Sequence, residues 1–90
     1  MYIENLTNEE LEQFNYIIAC LHFYGRSIKP DIEIHDYNTA IEIIKEKLNT
    51  ESYLRVMEAL SKDEYSSLLP GGATALTLKG IEYAKKNFKL

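Results

Sequence analysis

Apolar side chains return every three or four positions over residues 8–24. Leu11, Phe14, Ile18 and Leu21 share one stripe, with Ile17 and Tyr24 beside it. That spacing places them on one face of a helix with 3.6 residues per turn. The start is marked by Thr7 and Glu10, which have the T-x-x-E spacing of a capping box. In that device the hydroxyl and the carboxylate each accept from a backbone amide that the first turn leaves without a partner. Leu6 before the cap and Leu11 in the first turn are spaced as a hydrophobic staple. Gly25 follows, and glycine enters the left-handed conformation that ends helices without steric cost. A first helix over residues 8–24 is predicted.

The next stretch, "RSIKPDIEIHD", changes period. Pro30 cannot sit inside a helix, and Ile32-Glu33-Ile34 alternates, so a short extended segment, an edge strand, is expected there. Asp36 or Asn38 then caps a second helix with Tyr37, Ala40, Ile41, Ile44 and Leu48 inward. Asn49-Thr50 breaks the pattern, and Thr50 is expected to cap a third helix running to about Asp63. Tyr53, Val56, Met57 and Leu60 form its core face. Pro70-Gly71-Gly72 is turn chemistry between two apolar-rich runs, residues 65–69 and 73–78, which reads as a β-hairpin with the glycines at its tip. Thr77 caps a last helix with Ile81, Ala84 and Phe88 inward. Gly80 in its first turn costs about 1 kcal/mol relative to alanine. Close approach of that helix to the hairpin or to the third helix would account for it.

Ninety residues, 46% apolar and 27% charged, fit one globular domain over residues 1–90. The acidic start, "MYIENLTNEE", has no basic region followed by an apolar core and is not a signal peptide. The longest apolar run, "YIIACLHFYG", falls far short of the ~20 residues of a membrane span. One cysteine, Cys20, excludes an internal disulfide. A cytoplasmic protein with no membrane association is expected.

The net charge is −4, unevenly spread. Residues 1–42 carry eight acidic side chains against Arg26 and Lys29, while residues 43–90 carry six against eight basic ones. The basic half ends in Lys85, Lys86 and Lys89. This is a weaker basic footprint than a duplex-binding domain usually shows.

The segment "AIEIIKEKLNTESYLRVMEALSKDEY" followed by "TALTLKGIEYAKKN" resembles the winged helix-turn-helix superfamily. The first part is similar to its helix-turn-helix pair. The second resembles the returning wing strand running into an LTxKG helix start, as in MarR-like and PadR-like regulators. The likeness covers roughly residues 9–88. It implies an α+β, mainly helical fold: three helices, a β-hairpin wing and a C-terminal helix. It also implies a recognition helix at residues 51–62, a wing tip at residues 70–73, and double-stranded DNA as ligand. A dimer is expected for that role, because one recognition helix and a neutral wing give weak affinity alone.

The exposed face of that helix offers Glu51, Ser52, Arg55, Glu58, Ala59 and Lys62. Arg55 can read guanine and Ser52 or Lys62 can hold a phosphate, with Lys79, Lys85 and Lys86 in support. Glu51 and Glu58 oppose phosphates on the same face, and "LLPGGATA" at the wing carries no Lys or Arg. The i,i+4 pairs Glu51–Arg55 and Glu58–Lys62 offer ordinary solvated ion pairing instead. The alternative is a module for protein contact or homodimerisation. Its interface candidates are Tyr16, Phe23 and Ile43, off the main stripes of the first two helices.

Cys20 and His22 point to different helical faces with no matching ligand set, so no metal site is expected. His35 beside Asp36 implies no nucleophile. No phosphate loop, dinucleotide fingerprint or hydrolase motif occurs. Neither an enzyme nor a cofactor is expected.

Overall fold

The computed structural model of the chain describes residues 1–28 and 30–88. A 3₁₀ turn at Tyr2–Asn5 leads into α1 (Asn8–Phe23). Then come α2 (Tyr37–Lys47), α3 (Thr50–Lys62), a hairpin of β1 (Ser66–Leu68) and β2 (Thr74–Leu76), and α4 (Leu78–Asn87). The fold is α+β and mainly helical, with one two-stranded antiparallel sheet.

Helix α1 is the central element, packed against α2, α3, α4 and β2. Phe14, Ile17 and Ile18 are fully enclosed and meet Ile44 of α2, Val56 and Leu60 of α3 and Ala84 of α4. Each such side chain contributes on the order of 1.5–3 kcal/mol by leaving water. Phe14, Tyr65 and Tyr83 meet edge to face, with centroids 5.2–5.6 Å apart, and lock α1, the hairpin base and α4 together. The Tyr83 hydroxyl donates to Asn15 Oδ1, which satisfies the polar end of a half-buried ring.

The caps follow side-chain chemistry closely. Thr7 Oγ1 accepts from the Glu10 amide at 3.1 Å and Glu10 Oε1 accepts from the Thr7 amide at 3.0 Å, completing the capping box. Asp36 caps α2 and Thr77 caps α4. The α3 cap is Asn49, not Thr50: Asn49 Oδ1 accepts from the Ser52 amide at 2.8 Å. Asn outranks Thr at this position because its carbonyl reaches the amide more readily, and Thr50 becomes the first helical residue.

Gly25, Gly71 and Gly72 all have positive φ, at the end of α1 and at the hairpin tip. Gly80 has an ordinary φ, but a Cβ there would overlap the Tyr65 carbonyl oxygen and press on Leu76. The cost of glycine in this helix is offset by its close approach to the hairpin base.

Three expectations need correction. Residues 32–34 form no strand; Ile32 is exposed and the segment crosses the surface as irregular chain. Tyr24 leaves the apolar face and is exposed, because the chain turns at Gly25. Ala59, expected on the exposed face of α3, is fully buried, while the charged residues of that face do point to solvent. The 3₁₀ turn has no clear signal in the sequence. It is held from sixty residues away, where Asp63 accepts from the amides of Tyr2 and Ile3 at 3.0 and 2.8 Å.

Candidate functional site

The candidate face consists of α3 and the hairpin. Glu10 sits four residues before Phe14 and seven before Ile17, so the buried stripe of α1 carries it inward, where it is 1% exposed. Its capping bond uses Oε1. Its other oxygen, Oε2, accepts from Arg55 Nε at 2.9 Å and lies 2.7 Å from Arg55 Nη2. Arg55 Nη2 also donates to Ser52 Oγ at 3.2 Å, and Nη1 lies 3.5 Å from Glu51. The guanidinium is thus spread over three partners. Its hydrogen bonding to Glu10 outweighs the upward push of burial and, with the Thr7 amide, holds that carboxyl down at about 2.

The six basic and hydroxyl candidates therefore divide. Ser52 and Arg55 belong to this internal network. Lys79 donates to the Asp63 carbonyl at 2.7 Å and lies 4.5 Å above the Tyr65 ring. It joins α4 to the end of α3. Lys62, Lys85 and Lys86 are exposed. Lys62 makes no ion pair with Glu58 among the described residues, contrary to its spacing; Arg55's i,i+4 partner Glu51 is real but secondary to Glu10. Lys89 lies outside the described residues.

What α3 presents to solvent is Thr50, Glu51, Leu54, Arg55, Glu58, Ser61 and Lys62. Leu54 is 52% exposed, and the sequence reading passed over it. A groove of about 210 Å³ lies between α3 and the hairpin, its walls including Met57, Leu60, Ser61, Ser66, Leu68 and Thr74. It contains no charged side chain. Leu68 on β1 is 74% exposed and Leu69 is also exposed.

The backbone of β1 adds a second feature. The Thr77 amide bonds to Tyr65 and the Leu69 amide to Ala73 across the hairpin. By the alternation of an antiparallel ladder, Ser66 and Leu68 turn their N–H and C=O groups away from β2. Neither finds a backbone partner beyond the hairpin among the described residues.

The other interface candidates are placed differently. Phe23 is buried, edge to face with Phe88 at 6.2 Å, and forms no exposed patch. Tyr16 and Ile43 are half-buried, with Tyr16 packed on the core. Cys20 is buried, and enclosure pushes its thiol pKa up, which disfavours the reactive thiolate. Asp36 serves as a cap, and His35 lies 3.5 Å from Glu33. Among the described residues no cluster of side chains could hold a metal ion, and no helix is long and apolar enough to cross a membrane.

Comparison with known proteins gives no match: no protein-family model, curated protein or solved structure aligns significantly with this chain.

Proposed function

We propose that the chain is a non-enzymatic winged-helix-like module whose α3–hairpin face makes protein contacts. Its layout supports the winged-helix part: α2 and α3 are joined by a short turn, and a hairpin leads into a capped helix. The single observation that carries the rest is the commitment of Arg55 to the buried carboxylate of Glu10. An arginine that reads a base must release its internal partners, and here that strands a charge inside the protein.

The partner this face best specifies is a second copy of the chain. Ser66 and Leu68 offer an open strand edge, and open edges are templates for strand pairing. An antiparallel pair of β1 strands with its two-fold at Ser67 joins Ser66 of each copy to Leu68 of the other. It satisfies both outward N–H and both outward C=O groups of each strand. The exposed Leu68 side chains are covered in the same step, and the interface is isologous.

Sedimentation velocity over a concentration series tests this. Reversible dimerisation that tolerates salt, and that Leu68→Asp abolishes, is the expected result. A monomer at every concentration rules out the second copy. Double-stranded DNA remains the competing ligand, favoured by the exposed Lys62, Lys85 and Lys86.

A further inference from the structure

At the C-terminal end of α1, roughly 18 Å along the helix from Glu10 at 1.5 Å per residue, lies a cleft that the α3–hairpin face does not use. Its volume is about 810 Å³, and its walls include His22, Phe23, Arg26, Ile28, Lys85 and Phe88. No acidic residue lines it, in a chain with fourteen acidic side chains against ten basic ones. Phe23 lies between its two aromatic neighbours, 4.6 Å from the His22 ring and 6.2 Å from Phe88. Ile28 is 66% exposed at the rim.

Cations near helix C-termini have an ordinary explanation, since they complement the negative end of the helix dipole. That account covers Lys85 and Arg26 singly. It requires neither a cavity nor a buried imidazole in the wall of that cavity. His22 is 92% enclosed, and its Nδ1 has no hydrogen-bond partner among the described residues. Buried polar atoms of this kind are uncommon and costly. Burial first, and then the positive charges of Arg26 and Lys85, hold the imidazole pKa below its ordinary value. An anion placed on those two cations removes their repulsion toward an imidazolium.

We propose that this cleft binds a small organic anion with an apolar body, a carboxylate-bearing alkyl or aryl compound. The carboxylate sits on Arg26 and Lys85, and the apolar body lies against Phe23, Ile28 and Phe88. His22 forms the floor and becomes easier to protonate once the anion is bound. The site is separate from the α3–hairpin face and does not depend on how that face is used.

Nuclear magnetic resonance titration of the full chain with octanoate, octanol and acetate tests the proposal. Octanoate is expected to shift the His22 and Phe88 signals and to raise the His22 titration midpoint. Octanol and acetate are expected to bind at least about tenfold more weakly, since each lacks one half of the recognition. Losing a charge-assisted contact through Lys85→Gln is expected to weaken octanoate about tenfold, whereas Lys62→Gln, outside the cleft, leaves it unchanged. Octanol binding as well as octanoate overturns the anionic part, and acetate binding as well overturns the apolar part. Equal losses in the two lysine variants, or no shift at His22 and Phe88, overturn the site.

Discussion

Glu10 and Arg55 are joined by two contacts, at 2.9 and 2.7 Å, between the first turn of α1 and the middle of α3. The carboxylate is enclosed while the guanidinium keeps one side in water. Glu10 thereby serves two elements: one oxygen closes the capping box of α1 and the other fixes the position of α3. The arginine best placed to read a ligand is the one that neutralises this buried charge.

That asymmetry predicts an order of mutational effects. Arg55→Ala leaves an enclosed carboxylate without its cation, so it destabilises more than Glu10→Gln. The glutamine variant replaces a charge-assisted bond by a neutral one, at a cost of about 1–2 kcal/mol. Adding Glu10→Gln to Arg55→Ala recovers much of the loss, because no unpaired charge then remains buried. Urea unfolding of the four proteins at pH 7 measures the cycle.

The same pair gives an acid dependence. The Glu10 pKa is depressed in the folded chain, to about 2 from an ordinary 4.5. Its contribution is therefore complete above pH 4.5 and is lost as pH falls through about 2. The stability gap between the wild type and Arg55→Ala should narrow steadily over that window in urea titrations. A gap that is constant from pH 7 to pH 2 contradicts the pairing.

Gly80→Ala should reverse the usual sign for a helical glycine. Propensity alone favours alanine by about 1 kcal/mol. The new Cβ, however, meets the backbone carbonyl of Tyr65, which cannot swing aside as a side-chain tip can. Overpacking of this kind costs typically 1–3 kcal/mol, and backbone contact puts it at the upper end. Thermal unfolding is expected to show a Tm lowered by several degrees; a raised Tm contradicts the close approach.

Asp63→Ala should free the first residues of the chain without unfolding the rest. Burial pushes this carboxyl up, but the amides of Ile3 and Tyr2, together with the positive charges of the amino terminus and Lys79, more than offset it and leave the pKa below its ordinary value. Hydrogen exchange is the direct readout: protection at Tyr2 and Ile3 is lost, while amides in the middle of α1 keep theirs. In the wild type the same two amides lose protection as the pH is lowered and Asp63 protonates.

Local chemistry in the sequence was enough to place α1, α2, α3, the hairpin and α4. Their caps lie within three residues of the amides they satisfy, and their apolar periods are regular. The third cap falls one residue before the expected Thr50, because Asn49 and Thr50 are both capable of capping. The strand expected at residues 32–34 rested on alternation alone, and alternation does not supply a pairing partner. The candidate site was harder to read. Glu10 had a complete local role as a cap, which concealed its long-range one. The available clue was its place on the buried stripe, in line with Phe14 and Ile17. Asp63 and Lys79 meet only after the chain has folded, and no spacing rule links residues 2, 3, 63 and 79. Leu54 and Leu68 show as exposed only when the faces of α3 and β1 are known.

Whether α3 is free to engage DNA decides between the two ligands. An amide titration with random-sequence duplex, begun at low salt and carried to moderate salt, tests this most directly. The prediction is that residues 50–61 and the hairpin do not shift, and that any low-salt effect stays at Lys62, Lys85 and Lys86 as general attraction. Shifts concentrated on α3 and the hairpin that fade with salt, together with loss of the Arg55–Glu10 contact, contradict it and make the chain a DNA reader.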